Sequence, residues 1–216
     1  MQKRFVSTLL LLVAFAFGAA ASSEAAARRV ALIDAVKNGE GSTVRALLAQ
    51  KVDINAAEAD GSTAMHWAAH TGNGPIAEML VKAGANVKAV TRNGATPYAL
   101  ALNKGNAAVI EILLKAGEDP KAVIAGEPPL MMAARAGNPE AVKSLLAHGA
   151  DPNVAEPVRK QTAMMWAASE GNNAVIKVLL EAGANANARS NGPPAPKGLG
   201  GGRIPRINDP IGFRAH

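Results

Sequence analysis

His66 and His70, four residues apart in the run His-Trp-Ala-Ala-His, are the side chains whose spacing could most readily do chemistry. Positions four apart share one face of a helix, so both imidazoles could turn toward one metal ion. The zinc hydrolases that use this spacing need a carboxylate beside the first histidine as general base, and here Trp67 occupies that place. His148 lies far along the chain, so no third ligand is evident, and a metal-dependent enzyme built on His66 and His70 stands only as a remote alternative. The run Gly198 to Gly202 is rich in glycine, but no strand pattern precedes it and no Lys-Ser or Lys-Thr follows, so it is not a phosphate loop. No Gly-x-Ser-x-Gly elbow is present. Acidic residues are scattered, with no pair placed for acid–base work, and cysteine is absent, which removes thiol chemistry and disulfides. No catalytic residue, cofactor site or metal site is therefore assigned, and the chain reads as a non-enzyme.

The elements that carry these residues recur with a fixed period. Shifting the chain by 33 residues places Gly61 on Gly94, Thr63 on Thr96 and Gly72 on Gly105. A further 32 places Gly94 on Gly126, Gly105 on Gly137 and Gly117 on Gly149, and another 34 places Gly137 on Gly171 and Ala150 on Ala184. Such a period means stacked supersecondary units rather than one globular core. Abundant alanine and 3% aromatic residues fit closely approaching helices better than a large-residue core.

Each unit reads as two short helices. Thr63, Thr96 and Thr162 stand where a hydroxyl can cap free N–H groups, and Pro97 and Pro129 stand in the first turn, where a missing N–H costs nothing. The first helix is expected to end at Gly72, Gly105, Gly137 and Gly171. The second carries a buried ridge of Ile76, Met79 and Leu80, then Val109, Ile112 and Leu113, Val142, Leu145 and Leu146, and Val175, Val178 and Leu179. It closes at Gly84, Gly117, Gly149 and Gly183. An incomplete first unit has helices from about Ser23 and from about Thr43 to Gln50, as a capping unit would. Trp67 and Trp166, in matching positions, are expected to pack between units, as are Met65, Met131, Met132, Met164 and Met165. Two places break the pattern: the junction Gly117-Glu118-Asp119-Pro120 before Glu127-Pro128-Pro129, and Glu156-Pro157-Val158-Arg159-Lys160, which replaces a glycine turn.

In Thr63-Ala64-Met65-His66, Ala68-Ala69, Thr96-Pro97-Tyr98, Gly84-Ala85-Asn86, Gly149-Ala150-Asp151 and Gly183-Ala184-Asn185 the chain resembles the ankyrin repeat, over residues 28–189. The resemblance implies an all-α fold, an α-solenoid of about five stacked helix-turn-helix units: a capping unit at 22–59 and repeats at 60–93, 94–125, 126–159 and 160–189. It places His66 in the family's histidine position, bonded across the turns, with His70 at the concave rim. It implies a protein partner held against the turns and first helices, without chemistry. Carried over by register, the contact residues are Ser62, His70 and Thr71; Arg92, Asn93, Ala95, Asn103 and Lys104; Glu127 and Arg135; and Gln161, Ser169 and Glu170. Arg92 and Arg135 are the expected hot spots.

The ends read differently. Residues 1–21 have the form of a secretory signal peptide of bacterial type: Lys3 and Arg4, an apolar run from Phe5 to Phe17, and Ala19-Ala20-Ala21 before Ser22. Export to the periplasm or beyond is expected, with an uncleaved anchor as the alternative. Residues 190–216 are rich in proline and glycine and read as a disordered basic tail. The array would then lack a C-terminal cap, so the alternative function is that of an ankyrin segment in a longer protein whose activity lies elsewhere. The net charge of +6 sits mostly at the ends: removing the leader's two cations and the tail's net three leaves +1 for residues 22–189. That near-neutral array removes the main argument for nucleic acid as a partner. The protein partner is what the resemblance implies, and a monomer is expected.

Overall fold

The computed structural model describes residues 30–191, so the leader, the helix start near Ser23 and the tail from 192 lie outside the described residues. Ten helices follow in order: α1 (30–37), α2 (Gly41–Ala49), α3 (Ala64–Thr71), α4 (Gly74–Lys82), α5 (Pro97–Lys104), α6 (Ala107–Lys115), α7 (Pro129–Ala136), α8 (Pro139–Ala147), α9 (Ala163–Ser169) and α10 (Asn173–Glu181). They form five helix pairs, and the described residues contain no strand beyond isolated bridges. The fold is an all-α repeat of solenoid type. The chain divides after Pro120 into two compact units, at the irregular junction that breaks the sequence pattern. In the first unit α2 packs on α4, α3 on both α4 and α5, and α6 on α4 and α5; in the second, α7 packs on α8 and α9, and α10 on both α8 and α9.

The local chemistry explains the helix boundaries. Thr96 Oγ1 accepts the Ala99 N–H at 3.1 Å and Thr162 Oγ1 that of Met165 at 3.5 Å. Pro97 and Pro129 occupy first-turn positions, where a proline ring presets φ. The end of α4 shows how the second helices stop. Gly84 takes φ +90°, its N–H reaches the Val81 carbonyl at 3.0 Å, and Ala85 N–H reaches Leu80 at 2.9 Å. These are the paired bonds of a Schellman close, which a residue with a Cβ would resist. The same two bonds recur at Gly117, Gly149 and Gly183.

Several details differ from the expectation. Helix α2 begins at Gly41, two residues early, and Val44 is its one fully buried residue. Met79, Ile112 and Leu146 are half-buried; Ala77, Ile110 and Ala141 lie in the core instead, because the buried stripe of α4, α6 and α8 runs at i, i+1 and i+4, as in Ile76, Ala77 and Leu80. Helix α9 stops at Ser169, with Glu170 still right-handed as its cap and Gly171 one place beyond. Met65, Met131, Met132 and Met164 are core residues, whereas Met165 is half-buried.

Between helix pairs the chain makes narrow fingers, each closed by a short-range backbone pair. Single antiparallel bridges join Ala57 to Thr63, Ile124 to Glu127 and Ala155 to Thr162. Asparagine side chains tie successive pairs together inside each unit. Asn106 Nδ2 donates to the Ala69 carbonyl at 2.7 Å and Asn172 Nδ2 to Ala134 at 3.0 Å, so a residue at the head of one second helix satisfies an open carbonyl at the end of the preceding first helix.

Candidate binding surface

In the first unit His66 is a structural clasp. Thr63 N–H donates to His66 Nδ1 at 3.1 Å, so Nδ1 is bare and Nε2 carries the proton, which faces the Ala95 carbonyl at 3.1 Å. The imidazole plays the part that a glutamate plays in a capping box and also reaches the next finger. Burial, the larger effect, holds its pKa below the ordinary histidine value against the Ala95 and Ala89 carbonyls and the charge of Asp60. With both nitrogens engaged, His66 cannot share an ion with His70, which is exposed and meets the Trp67 ring edge-on at 5.9 Å. Among the described residues no three His, Cys, Asp or Glu side chains gather as a metal site.

The carried-over contact residues fall into different environments. Ser62 leaves the candidate surface: it is 8% exposed and its hydroxyl donates to Asp60 at 2.8 Å, because the finger turns on that bond. Ala95 is half-buried, with its N–H on Thr91 Oγ1 and its carbonyl on His66. His70, Thr71, Arg92, Asn93, Asn103 and Lys104 are exposed, although the Thr71 hydroxyl donates to the Trp67 carbonyl at 2.9 Å. Arg92 links two fingers through its main chain, its N–H meeting the Asp60 carbonyl at 2.8 Å. In the second unit Ser169 and Glu170 are exposed, and Glu127, Arg135 and Gln161 are half-buried.

Helix packing repeats one constellation in both units. Lys37 stands two residues before Gly39, Trp67 four after Thr63, and Glu58 at the base of the finger between them. The Lys37 ammonium lies 4.4 Å from the centroid of the Trp67 ring and 2.7 Å from Glu58 Oε1, while Trp67 Nε1 donates to Glu58 Oε2 at 2.6 Å. Trp67 is thus half-buried and meets Lys37 and Glu58 of the preceding repeat, a contact between repeats made partly through its polar edge, because its indole N–H finds an acceptor at the surface. Arg135, Trp166 and Glu156 hold the matching places in the second unit, as their finger bonds show: Glu58 N–H meets the Ser62 carbonyl and Glu156 N–H meets that of Gln161.

The second constellation is wired differently. The Arg135 guanidinium lies 5.4 Å from the Trp166 ring, but its carboxylate partner is Glu127, at 2.5 Å. Glu156 turns onto its own finger and accepts the backbone N–H of Val158 at 2.7 Å, Arg159 at 2.5 Å and Gln161 at 3.2 Å. Burial works to raise the Glu156 pKa, but the N–H donors of Val158, Gln161 and Arg159 outweigh it and the carboxyl sits below its ordinary value. Those bonds hold a finger in which Lys160, at φ +57°, stands where the other fingers place a glycine. Trp166 is 7% exposed and its buried Nε1–H has no protein acceptor.

A groove of about 840 Å³ lies beside it. It runs between the finger Glu156–Gln161, the finger at Ala125–Glu127 and the first helices α7 and α9, and Glu127, Arg135, Gln161, Trp166 and Glu170 line it. Four of the sequence-derived contact residues therefore meet around one groove, while Ser169 lies outside its lining. Lys37 and Glu58 were missed by sequence reasoning, and Glu156 and Arg159 stood out only as members of the stretch that replaces a glycine turn. Charges recurring two residues before the helix-ending glycines at 39 and 137 are the signal that would have found Lys37.

The sequence matches the family described as "Ankyrin repeats (3 copies)" over residues 32–124 and again over 121–190, well over half of the chain. No curated protein matches it. Repeats of this family are, in general, protein–protein interaction modules and typically non-catalytic. With five helix pairs, glycine-closed second helices and a histidine clasp between fingers, the chain belongs to the ankyrin-repeat family.

Proposed function

We propose that the chain is an exported, monomeric, non-catalytic ankyrin-repeat protein that holds a protein partner against its fingers and first helices, with the groove of the second unit as the main contact. One observation carries this reading: in that groove a nearly buried Trp166 lies under Arg135, with Glu127 and Glu170 at hand. Tryptophan and arginine in a partly desolvated recess are the residue types that dominate binding energy. A stable complex buries about 800 Å² on each side, more than the groove alone offers, so neighbouring exposed residues such as Ser169 form its rim. The fingers are closed by their own hydrogen bonds before binding, which keeps the ordering cost low. Export rests on the leader pattern of residues 1–21.

Affinity capture on the purified chain tests the reading, with Arg135→Ala and Arg92→Ala as separate baits of unchanged helical circular dichroism. A protein retained by the native bait and lost with Arg135→Ala is the expected result. Capture of the same proteins by all baits would refute the assignment of the groove. Loss with Arg92→Ala alone would move the site to the first unit. The mass of the protein from an extracytoplasmic fraction, lacking residues 1–21, checks export.

A further inference from the structure

The charges that line the groove of the second unit do not balance. Glu127, Glu156 and Glu170 supply carboxylates, against the guanidinium groups of Arg135 and Arg159. Two of the three carboxylates are accounted for. Glu127 is bonded by Arg135, whose guanidinium also lies over Trp166. Glu156 takes three main-chain N–H groups of its own finger, and the charge of Arg159 acts on it as well. Glu170 is left over: it is exposed, and its carboxylate meets no cation among the described residues.

Glu170 also stands at the unfavourable end of its helix. It is the C-cap of α9, where the last carbonyls have no helical partner and the dipole is negative. The matching places before the other helix-ending glycines hold Asn38, Thr71, Lys104 and Ala136, none of them acidic. The neighbouring helix α7 brings Ala136 to this register, so it supplies no counter-charge there. An anion so placed weakens the free chain, and a cation bound beside it recovers the loss.

The rest of the lining selects what carries that cation. Val158 is 78% exposed, and the apolar side chains of Met131 and Trp166 lie along the same groove. Apolar surface of this kind receives an aliphatic stem while the charged end of the stem stays at a carboxylate. A volume of about 840 Å³ suits a few side chains of a short segment rather than a domain. An acidic or phosphorylated segment would add negative charge to a lining that already holds one carboxylate in excess.

We propose that the groove takes a short segment of the protein partner in which a lysine or arginine, next to an apolar residue, pairs with Glu170. The inference rests on the reading of this groove as the partner's surface and adds the chemistry by which the partner is chosen.

The probe is a displayed library of random linear peptides, selected on the full chain. The enriched sequences share a lysine or arginine beside an apolar residue. The leading peptide, synthesised, is titrated against the native chain, Glu170→Gln and Glu140→Gln, the last removing a carboxylate that pairs with Lys143 on α8. Glu170→Gln weakens binding by roughly tenfold, and Glu140→Gln leaves it unchanged. A peptide with its basic residue replaced by alanine binds the native chain and Glu170→Gln alike, because the pair is already broken. The thermal midpoint of Glu170→Gln is equal to or above that of the native chain, which separates lost pairing from lost folding. Enrichment of acidic peptides that are lost with Arg159→Ala would overturn the proposal. So would basic peptides that bind Glu170→Gln as tightly as the native chain, or a selection that enriches no sequence. Either of the first two results, with binding still lost in Arg135→Ala, sinks the partner chemistry and leaves the groove as the binding surface. Peptides indifferent to both Arg135→Ala and Glu170→Gln would remove the groove itself from the proposed function.

Discussion

Replacing Gly137 by alanine separates two reasons for a glycine at a helix end. Gly137 and Gly149 close the two helices of one pair, at φ +80° and +92°. Either substitution forces a Cβ into the left-handed region, at about 1–2 kcal/mol. Around Gly149 nothing lies within 4 Å of the added carbon. At Gly137 the carbon would sit 2.9 Å from Asn172 Oδ1 and 3.1 Å from its Cγ. Asn172 must then move, and its 3.0 Å bond to the Ala134 carbonyl goes with it. That adds about 0.5–1.5 kcal/mol, so Gly137→Ala costs roughly 2–3 kcal/mol where Gly149→Ala costs roughly 1–2. Urea denaturation of the full chain followed by far-ultraviolet circular dichroism measures both. In an Asn172→Ala background the clash and the bond are already gone, so the extra cost of Gly137→Ala vanishes and the cycle shows a coupling of about 1 kcal/mol. Equal costs for the two glycines in the native background, or no coupling, would refute the clasp.

Other perturbations follow from the same contacts. Trp67→Phe removes the 2.6 Å bond to Glu58 and weakens the contact with Lys37, and lowers stability by about 1–2 kcal/mol in the same urea assay. His66 has a folded-state pKa below its unfolded value near 6.5, so the unfolded chain binds the proton more readily; stability is full above that value and falls as pH drops through it toward the folded pKa. Thermal midpoints between about pH 7.5 and 5.5 therefore decline more steeply for the native chain than for His66→Asn, and parallel curves would contradict the assignment. Glu156→Gln weakens the hold on three main-chain N–H groups, so amide exchange quickens at Val158, Arg159 and Gln161 while the exchange of α7 and α8 stays as it was. Lowering the pH acts in the same direction: the depressed pKa of Glu156 contributes stability above the ordinary carboxylate range that is lost as pH falls through the folded value.

Much of the fold was legible because the decisive residues act locally. Thr96 and Thr162 cap the helices they precede, and the glycines at 84, 117, 149 and 183 close the helices they follow, whatever lies elsewhere. The irregular stretch before Glu127 was visible in the sequence, but the division after Pro120 was not read from it. The site was less legible, because it depends on where side chains meet between elements. Ser62 belongs to the right turn yet faces inward, and no spacing says so. Two tryptophans in the same register look equivalent in sequence. They differ because the finger before Trp166 has one more residue between its bridge partners, Ala155 and Thr162, than the finger before Trp67, between Ala57 and Thr63. That residue draws Glu156 onto the main chain and away from the indole. Asn172 announces itself as the start of α10, but its hold on Ala134 is a contact between repeats that no local pattern encodes.

The Glu156 finger also bears on how this protein can change. Elsewhere the turn is written into its tip, as a glycine that admits no other residue without strain. Here the shape is imposed from the base, by one carboxylate gripping main-chain atoms, and Pro157, Val158 and Arg159 are exposed with their side chains outside that grip. A loop held in this way can exchange its tip residues freely while Glu156 stays. It is the place where new specificities can be drafted, by natural variation or by a library at positions 157–159, without redrawing the helices beneath.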